Sequence, residues 1–125
     1  MIDRLKRFSG RLGIQQRVLP TYRVEFLALL AVVWEGGLRI FFGDAQSQES
    51  IPTTNQIEGA NFVESRNYHI RNVQSPYYFL WQGGLVNWLE NWKPDVLIVE
   101  ANSRYLSTNK GITWMHARQH PVIGW

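Results

Sequence analysis

The residues best suited to chemistry follow one apolar run near the carboxyl-terminal end of the sequence. Glu100, Asn102 and Arg104 come directly after Val96–Val99. A glutamate in this position could accept hydrogen bonds from a hydroxyl or act as a general base, and Arg104 could neutralise a phosphate. A structural interpretation stays open beside this one, in which these side chains cap the next helix and form an ion pair.

A second candidate segment is Thr21-Tyr22-Arg23, which follows Pro20. In many nucleotide-binding folds the corresponding turn is rich in glycine, so that the backbone can approach a pyrophosphate. This turn has no G-x-G-x-x-G pattern, which argues against a dinucleotide site of that kind. Arg23 stands at the start of a predicted helix, where it could bind an anion or remain solvated.

Other catalytic and metal-binding patterns have little support. His116 and His120 have a spacing that can bind zinc on a helix, but no glutamate follows His116 and no third ligand is evident. The sequence has no cysteine, which excludes disulfides and thiolate metal sites. It also lacks a G-x-S-x-G elbow and a P-loop, so neither a serine hydrolase nor a P-loop phosphotransferase is indicated. We therefore expect no metal ion and no cofactor.

The stretch from Pro76 to Trp92 is rich in aromatic residues, which raises the possibility of base stacking with nucleic acid. Basic residues are not interleaved among these aromatic ones, as such a surface requires. We expect core and groove-lining roles for them, and no nucleic-acid partner.

The apolar periodicity predicts alternating strands and helices. We place strands at 14–19, 38–42, 68–73, 96–99 and 121–125, and helices at 24–34, in the second half of 76–92, and at 108–118. Gly83-Gly84 indicates a kink or a close backbone approach, and 45–66 a long polar connection with room for another helix. The terminal strand is expected to be buried.

This order predicts an α/β fold: a Rossmann-like open, mostly parallel sheet with helices on both faces. In such sheets ligands bind beyond the carboxyl ends of the strands, where both candidate segments stand.

The charge is unevenly distributed along the 125 residues, whose net charge is +3. Residues 1–23 contain six basic side chains and one acidic one, so the rest of the sequence is net acidic. We divide the chain into a basic amino-terminal segment, 1–13, and a Rossmann-like lobe, 14–125. Residues 1–12 have helical apolar spacing and could lie on anionic lipid, or could form a solvated terminus.

The longest apolar run, Phe26 to Trp34, has nine residues. A membrane span needs about 20, and the preceding 25 residues do not resemble a signal peptide. We expect a cytoplasmic protein that could contact the membrane peripherally.

Three segments resemble the amino-terminal lobe of GT-B-fold glycosyltransferases, in particular family 4. The first is QRVLPTYR at 16–23, followed by Phe26 and Leu30; the second is PDVLIVEANSR at 94–104; the third is PVIGW at 121–125. Their order and spacing carry the resemblance, which extends from Ile14 to the end of the sequence.

The resemblance implies the acceptor-binding lobe of a retaining, usually metal-independent glycosyltransferase. Its co-substrate would be a nucleotide-sugar, held by a carboxyl-terminal donor lobe that carries paired glutamates. By position, the residues that match the cleft-facing loops are Tyr22, Arg23, Glu100, Asn102 and Arg104. A structural alternative stays open for Glu100, in which it holds Arg104 or the strand-one turn in place. The paired glutamates have no counterpart in this sequence, so we expect the lobe to be truncated before the donor lobe and inactive without it, with no catalytic residue assigned. The donor lobe would be encoded by the same gene or supplied by a separate subunit.

The alternative is a non-catalytic Rossmann-like binding or scaffold module that meets a membrane or a protein partner. An exposed apolar surface beside the last strand would favour the two-lobe enzyme, and a polar surface there would favour the stand-alone module.

Overall fold

The computed structural model describes residues 10–34, 36–43, 61–71 and 75–125. Within these ranges, five strands form a parallel sheet and two further strands form an antiparallel ribbon. The elements, in chain order, are β1 (Leu12–Gln15), α1 (Val24–Val33), β2 (Leu38–Phe42), β3 (Asn61–Glu64), β4 (Asn67–Ile70), β5 (Phe79–Gln82), α2 (Leu85–Trp92), β6 (Val96–Val99), α3 (Leu106–Ala117) and β7 (Val122–Gly124).

The parallel sheet has the strand order β3-β2-β1-β6-β7. β1 lies in the middle and pairs with β2 on one side and with β6 on the other. The chain therefore moves outward from β1 to β3, returns to the centre, and moves outward again through β6 and β7. The direction of the strand order reverses between β1 and β6, which is where doubly wound sheets bind ligands.

Alternate residues of the strands supply two cores, one on each face of the sheet. On one face, Ile14 and Ile40 pack with Leu27 of α1. On the other face, Leu97 packs with Trp88 of α2 and Met115 of α3. A parallel strand is buried on both sides because crossover helices cover both faces of the sheet. The predicted α/β class, with helices on both faces of an open parallel sheet, is confirmed.

The ends of α1 are fixed by its sequence neighbours. Pro20 precedes a short 3-10 turn, Thr21–Arg23, which leads directly into the helix. The helix ends before Trp34, whose indole Nε1 donates to the carbonyl of Gly10 at 2.9 Å. Gly37 has a φ of +95°, a left-handed conformation that glycine adopts without strain, and it starts the chain on β2.

The first and last predicted strands differ from the structure. β1 begins at Leu12 rather than Ile14 and ends at Gln15, because only these four residues pair with both neighbouring strands. β7 was expected to be buried, yet it pairs with β6 alone among the described strands. Ile123 points to the same face as Ile98 in register beside it, but α1 does not cover it, and it is 51% exposed.

Two strands were not predicted. β3 lies inside the polar connection 45–66, of which residues 45–60 fall outside the described residues. β5 lies in the aromatic-rich stretch and pairs antiparallel with β4, so residues 68–70 of the predicted strand 68–73 belong to a separate ribbon, and its residues 72 and 73 fall outside the described residues. Gly84, with a φ of +82°, makes the turn from β5 into α2 rather than a kink inside a helix. The predicted close backbone approach is found at Gly83, whose N–H donates to the carbonyl of Arg66 at 3.1 Å.

Candidate functional site

A cavity of about 290 Å³ opens at the carboxyl ends of β1 and β6, where the strand order reverses. Its volume is near the lower end for small-molecule sites. The side chains that line it come from the segment after β1, from the loop after β6, and from the residue after β7: Arg17, Val18, Pro20, Tyr22, Arg23, Glu100, Ala101, Asn102 and Trp125.

Four of the five residues predicted from the sequence line this cavity, and Arg104 does not. The exposed Arg104 contributes through its backbone instead. Its N–H donates to Oδ1 of Asn102 at 2.9 Å, and its carbonyl accepts from the N–H of Leu80 at 2.8 Å. Arg104 therefore ties the loop after β6 to the ribbon. The phosphate-neutralising role proposed for it has no support from its position.

Glu100 is held against the turn that follows β1. Its Oε1 accepts from the backbone N–H of Arg17 at 3.1 Å. Burial raises the pKa of Glu100 above its ordinary value, against the opposing effects of that hydrogen bond, of the charges on Arg17 and Arg23, and of a hydrogen bond with Tyr105. Glu100 was considered to hold either Arg104 or the strand-one turn in place. The hydrogen bond to Arg17 agrees with the second of these structural roles. The carboxyl also lies in the cavity wall, where it can accept from a ligand hydroxyl or act as a base.

Tyr105 supports Glu100 from the side of the ribbon. Burial, together with the nearby carboxylate of Glu100, raises the pKa of the Tyr105 hydroxyl. A neutral hydroxyl can donate to a carboxylate, so the pair fixes the orientation of Glu100.

Arg23 is placed by two aromatic rings. Its guanidinium carbon lies 4.7 Å from the ring centroid of Trp125 and 5.7 Å from that of Tyr22. The side-chain amide of Gln16 is oriented so that its nitrogen donates to the carbonyl of Val18. In this orientation the amide oxygen of Gln16 accepts from Nη1 of Arg23 at 3.0 Å. Stacking on rings and a fixed hydrogen bond restrict the guanidinium before any ligand arrives.

Trp125, like Arg17, lines the cavity although it was not among the site residues predicted from the sequence. Its backbone N–H donates to Val99 at 3.1 Å, and its carbonyl accepts from Ala101 at 3.2 Å, which holds it beside the end of β6. Its ring is 46% exposed and lies 6.3 Å from that of Phe26, centroid to centroid. Trp125 was not predicted as a site residue because the last strand was expected to be buried. The signal that could have identified it is an aromatic residue directly after a strand in a sheet of the ligand-binding kind.

A buried network of amides supports the cavity from below. Gln82 of β5 donates through Nε2 to the carbonyl of Gln16 at 2.8 Å and to Oδ1 of Asn67 at 3.0 Å. Its Oε1 accepts from Nε2 of Gln15. These side chains fix the start of the segment after β1 to the ribbon. Sequence reasoning missed the network because its members are close only in the fold.

The histidines do not form a metal site in the part of the chain that the structure describes. No group of three or more His, Cys, Asp or Glu side chains there could hold a metal ion. α3 ends at Ala117, so His120 lies beyond the helix that carries His116. The side chain of His69 is half-buried, as expected for a strand residue, and its Nδ1 lies 2.8 Å from the hydroxyl of Tyr78.

The aromatic-rich stretch divides between core and surface. Trp88 of α2 is buried, while Phe79 and Trp81 of β5 are partly exposed on one face of the ribbon.

None of the described helices has the length and apolar character needed to cross a bilayer. Most of the amphipathic segment 1–12 lies outside the described residues, so its membrane contact stays a prediction.

Comparison with protein-family models, with curated proteins and with solved structures found no match to this chain. The cavity is therefore the feature of the molecule that indicates its function. It brings together one carboxyl group, two guanidinium groups, an amide and an exposed indole. This set can hold a small polar ligand through hydrogen bonds to its hydroxyls and stacking against one of its faces.

Proposed function

We propose that this chain is the acceptor-binding lobe of a two-lobe retaining glycosyltransferase, whose second lobe binds the nucleotide-sugar donor. The observation that carries the proposal is the cavity at the reversal point of the sheet. Four of the residues that resemble the cleft-facing loops of family 4 line it together, although they come from two distant segments of the sequence.

The lining residues suit a sugar hydroxyl better than a purely apolar ligand. Glu100 and Asn102 offer acceptor oxygens on one wall, and Asn102 also offers amide donors. The partly exposed indole of Trp125 offers an apolar ring beside them, and such a ring can pack against the C–H face of a sugar. A few convergent polar groups beside an aromatic surface are typical of sites that orient a small ligand.

The same cavity is poorly suited to the donor. The turn after β1 contains Pro20, Tyr22 and Arg23 instead of glycines, so side chains fill the place where a pyrophosphate would approach the backbone. Donor binding and stabilisation of the charge that develops during transfer are thereby assigned to the second lobe.

An apolar surface beside β7 supports the two-lobe enzyme over the stand-alone module. Phe26, Ile123 and Trp125 are 53%, 51% and 46% exposed, and the rings of Phe26 and Trp125 are in contact. Exposed apolar side chains that are contiguous typically mark an interface. We assign this surface to packing against the donor lobe.

Saturation-transfer difference NMR on the full chain tests the proposal. The probes are the methyl glycosides of glucose, galactose, mannose and N-acetylglucosamine, together with UDP-glucose and GDP-mannose. We expect signal transfer to at least one methyl glycoside and none to the nucleotide-sugars. Trp125→Ala should abolish the transfer, because it removes the ring against which the sugar packs.

Trp81→Ala is the matched control, because Trp81 is a similarly exposed tryptophan outside this cavity. A signal from the nucleotide-sugars alone, or a glycoside signal that survives Trp125→Ala, would contradict the proposal. The absence of transfer to every probe would favour the non-catalytic module.

A further inference from the structure

We infer that the outer face of the β4–β5 ribbon is a contact site for an anionic lipid bilayer. This face consists of the side chains of Tyr68 and Ile70 on β4 and of Phe79 and Trp81 on β5. It lies outside the cavity, so the inference does not depend on the proposed function.

Strand pairing gathers these four side chains into one patch. In the antiparallel register Tyr68 lies opposite Trp81, and Ile70 lies opposite Phe79, so the two pairs are neighbours on the same face. Each of the four is between 38% and 47% exposed, whereas Leu80, between the two members on β5, is fully buried. Contiguous apolar side chains that a fold leaves exposed typically mark an interface.

Each end of this patch carries an arginine over a tyrosine ring. The guanidinium carbon of Arg66 lies 5.1 Å from the ring centroid of Tyr68, and that of Arg71 lies 5.8 Å from the ring centroid of Tyr77. The isoleucine and phenylalanine lie between these two ends. Side chains that bind a bilayer interface have this order, with aliphatic and phenyl groups among the acyl chains and with tyrosine, tryptophan and arginine at the level of the headgroups.

Further basic side chains border the ribbon on the side of β5. The carbonyl of the exposed Arg104 accepts from the N–H of Leu80 at 2.8 Å. The exposed Lys110 of α3 lines a small cavity together with Trp81. The basic residues next to the ribbon are thus Arg66, Arg71, Arg104 and Lys110.

No acidic residue of the neighbouring sequence balances this charge. Residues 65–84 and residues 101–120 contain neither aspartate nor glutamate. Glu64, which precedes the first of these segments, belongs to β3 in the other sheet. The acidic residues between the two segments accept hydrogen bonds elsewhere in the fold, from Arg118, Arg11 and Arg17 to Glu90, Asp95 and Glu100, respectively. A layer of anionic headgroups is complementary to such a surface.

The same observations argue against two other occupants. A second copy of the chain would bring the same cations against one another across a two-fold interface, which is unfavourable. Single-stranded nucleic acid binds by stacking its bases on free ring faces, but guanidinium groups already lie over the rings of Tyr68 and Tyr77, and Ile70 offers no ring.

Co-sedimentation of the full chain with lipid vesicles tests the inference. The vesicles contain phosphatidylcholine alone or phosphatidylcholine mixed with phosphatidylglycerol. We expect binding to the mixed vesicles that weakens in high salt. The double variant Ile70→Ala/Phe79→Ala should bind the mixed vesicles about tenfold or more weakly, because it removes apolar carbon atoms from the contact. Arg66→Gln and Arg71→Gln should each weaken this binding about fivefold.

Leu29→Ala and Lys93→Gln are the matched controls, since they truncate an exposed leucine and remove an exposed cation outside the ribbon. Neither should change vesicle binding. Circular dichroism establishes that each variant is folded. Arg66 and Arg71 are exposed, so their variants keep the test decisive if the apolar double variant does not fold.

Quenching of tryptophan fluorescence by brominated phosphatidylcholine in the mixed vesicles locates the contact. Trp81→Phe keeps an aromatic ring but removes the indole, and we expect it to abolish most of the quenching. Trp125→Phe removes a similarly exposed indole at the cavity, and should leave the quenching unchanged.

Vesicle binding that the ribbon variants leave unchanged would overturn the inference and would assign any membrane contact to the amino-terminal segment. Loss of binding in Leu29→Ala as large as in the double variant would also contradict it. Binding to single-stranded poly(dT) that depends on Trp81, without binding to vesicles, would identify the ribbon as a nucleic-acid surface instead. Each of these results leaves the test of sugar binding in the cavity unaffected.

Discussion

At the scale of single residues, Glu100 connects the stability of the fold with the chemistry of the cavity. Burial disfavours its ionised form, while the backbone N–H of Arg17, the charges of Arg17 and Arg23, and the hydroxyl of Tyr105 favour it. Burial has the larger effect, and the pKa of Glu100 is therefore raised. A carboxyl in this condition binds a proton more readily than a solvated one, which suits a group that exchanges a proton with a ligand hydroxyl.

The raised pKa of Glu100 predicts a specific dependence of stability on pH. Below the ordinary value of 4.5, Glu100 is protonated in both the folded and the unfolded chain, and its stabilising contribution is fully present. As the pH rises through the folded-state pKa, the native protein loses this contribution. Glu100→Gln, which can still accept from Arg17, should therefore match the wild-type Tm near pH 4 and exceed it at neutral and alkaline pH.

Thermal denaturation across this pH range measures the difference. The same series on Glu25→Gln, an exposed glutamate of α1, corrects for the general effect of deleting one acid. A wild-type protein that gains stability over Glu100→Gln as the pH rises would show that the folded-state pKa is lowered rather than raised.

At the scale of elements, α1 is apolar on both its sides but buried on only one. Leu27 is fully buried against the sheet, whereas Leu29, two residues later, is 63% exposed. A helix that is apolar all round usually lies within a larger core. The outer face of α1 is consistent with a surface that a further lobe covers.

Two leucine-to-alanine substitutions on α1 compare how much its inner and outer faces contribute to the free energy of unfolding. Leu27→Ala should reduce the free energy of unfolding by about 2–5 kcal/mol, because it opens a cavity in the core. Leu29→Ala should change it by no more than about 0.5 kcal/mol, as is usual for an exposed site. Urea denaturation measures both. A loss for Leu29→Ala as large as that for Leu27→Ala would mean that the outer face of α1 is covered in the chain on its own.

The elements that the sequence predicts well are those whose pattern is local. The helix over 24–34 and the strands at 38–42 and 96–99 agree with α1, β2 and β6 to within a residue. In each case a continuous apolar run ends at a polar or glycine-rich segment, so the neighbours along the chain define the element. The α/β class followed from the alternation of these elements.

The elements that the sequence missed depend on distant partners. β3 carries Asn61 and Glu64 and has little strand character of its own, but it pairs with β2 along its length. β5 exists because it pairs with β4, and Gln82 at its end is placed by Gln15 and Asn67. In β3 tertiary pairing therefore outweighs local preference. β5 does contain residues that strands favour, but it has only four residues within a longer aromatic-rich stretch, so its sequence alone did not separate it from the helix that follows.

The candidate site was predictable to the extent that it follows from topology. Carboxyl ends of parallel strands meet at one edge, so residues after β1 and after β6 had to come together there. Side-chain directions did not follow from this rule. Arg104 does not line the cavity, whereas Arg17 and Trp125 do.

At the scale of the whole molecule, the sheet order joins the two halves of the site. Because β1 and β6 are neighbours only after the chain has crossed the sheet, the turn with Tyr22 and Arg23 faces the loop with Glu100 and Asn102. Trp125 follows β7 at the same edge, and its ring lies beside that of Phe26 of α1. The cavity and the apolar surface thus share one rim, an arrangement that the proposed two-lobe enzyme requires.

The most direct test of the acceptor site is an NMR titration of the ¹⁵N-labelled full chain with the methyl glycoside that gives the strongest saturation transfer. Trp125→Phe identifies the indole signal of Trp125 among those of the other tryptophans. We predict that this signal and the backbone amides of residues 21–23 and 100–102 shift together in a saturable manner. Shifts confined to the ribbon, or to the opposite edge of the sheet around Lys93 and Asp95, would contradict the assignment of the acceptor to this cavity.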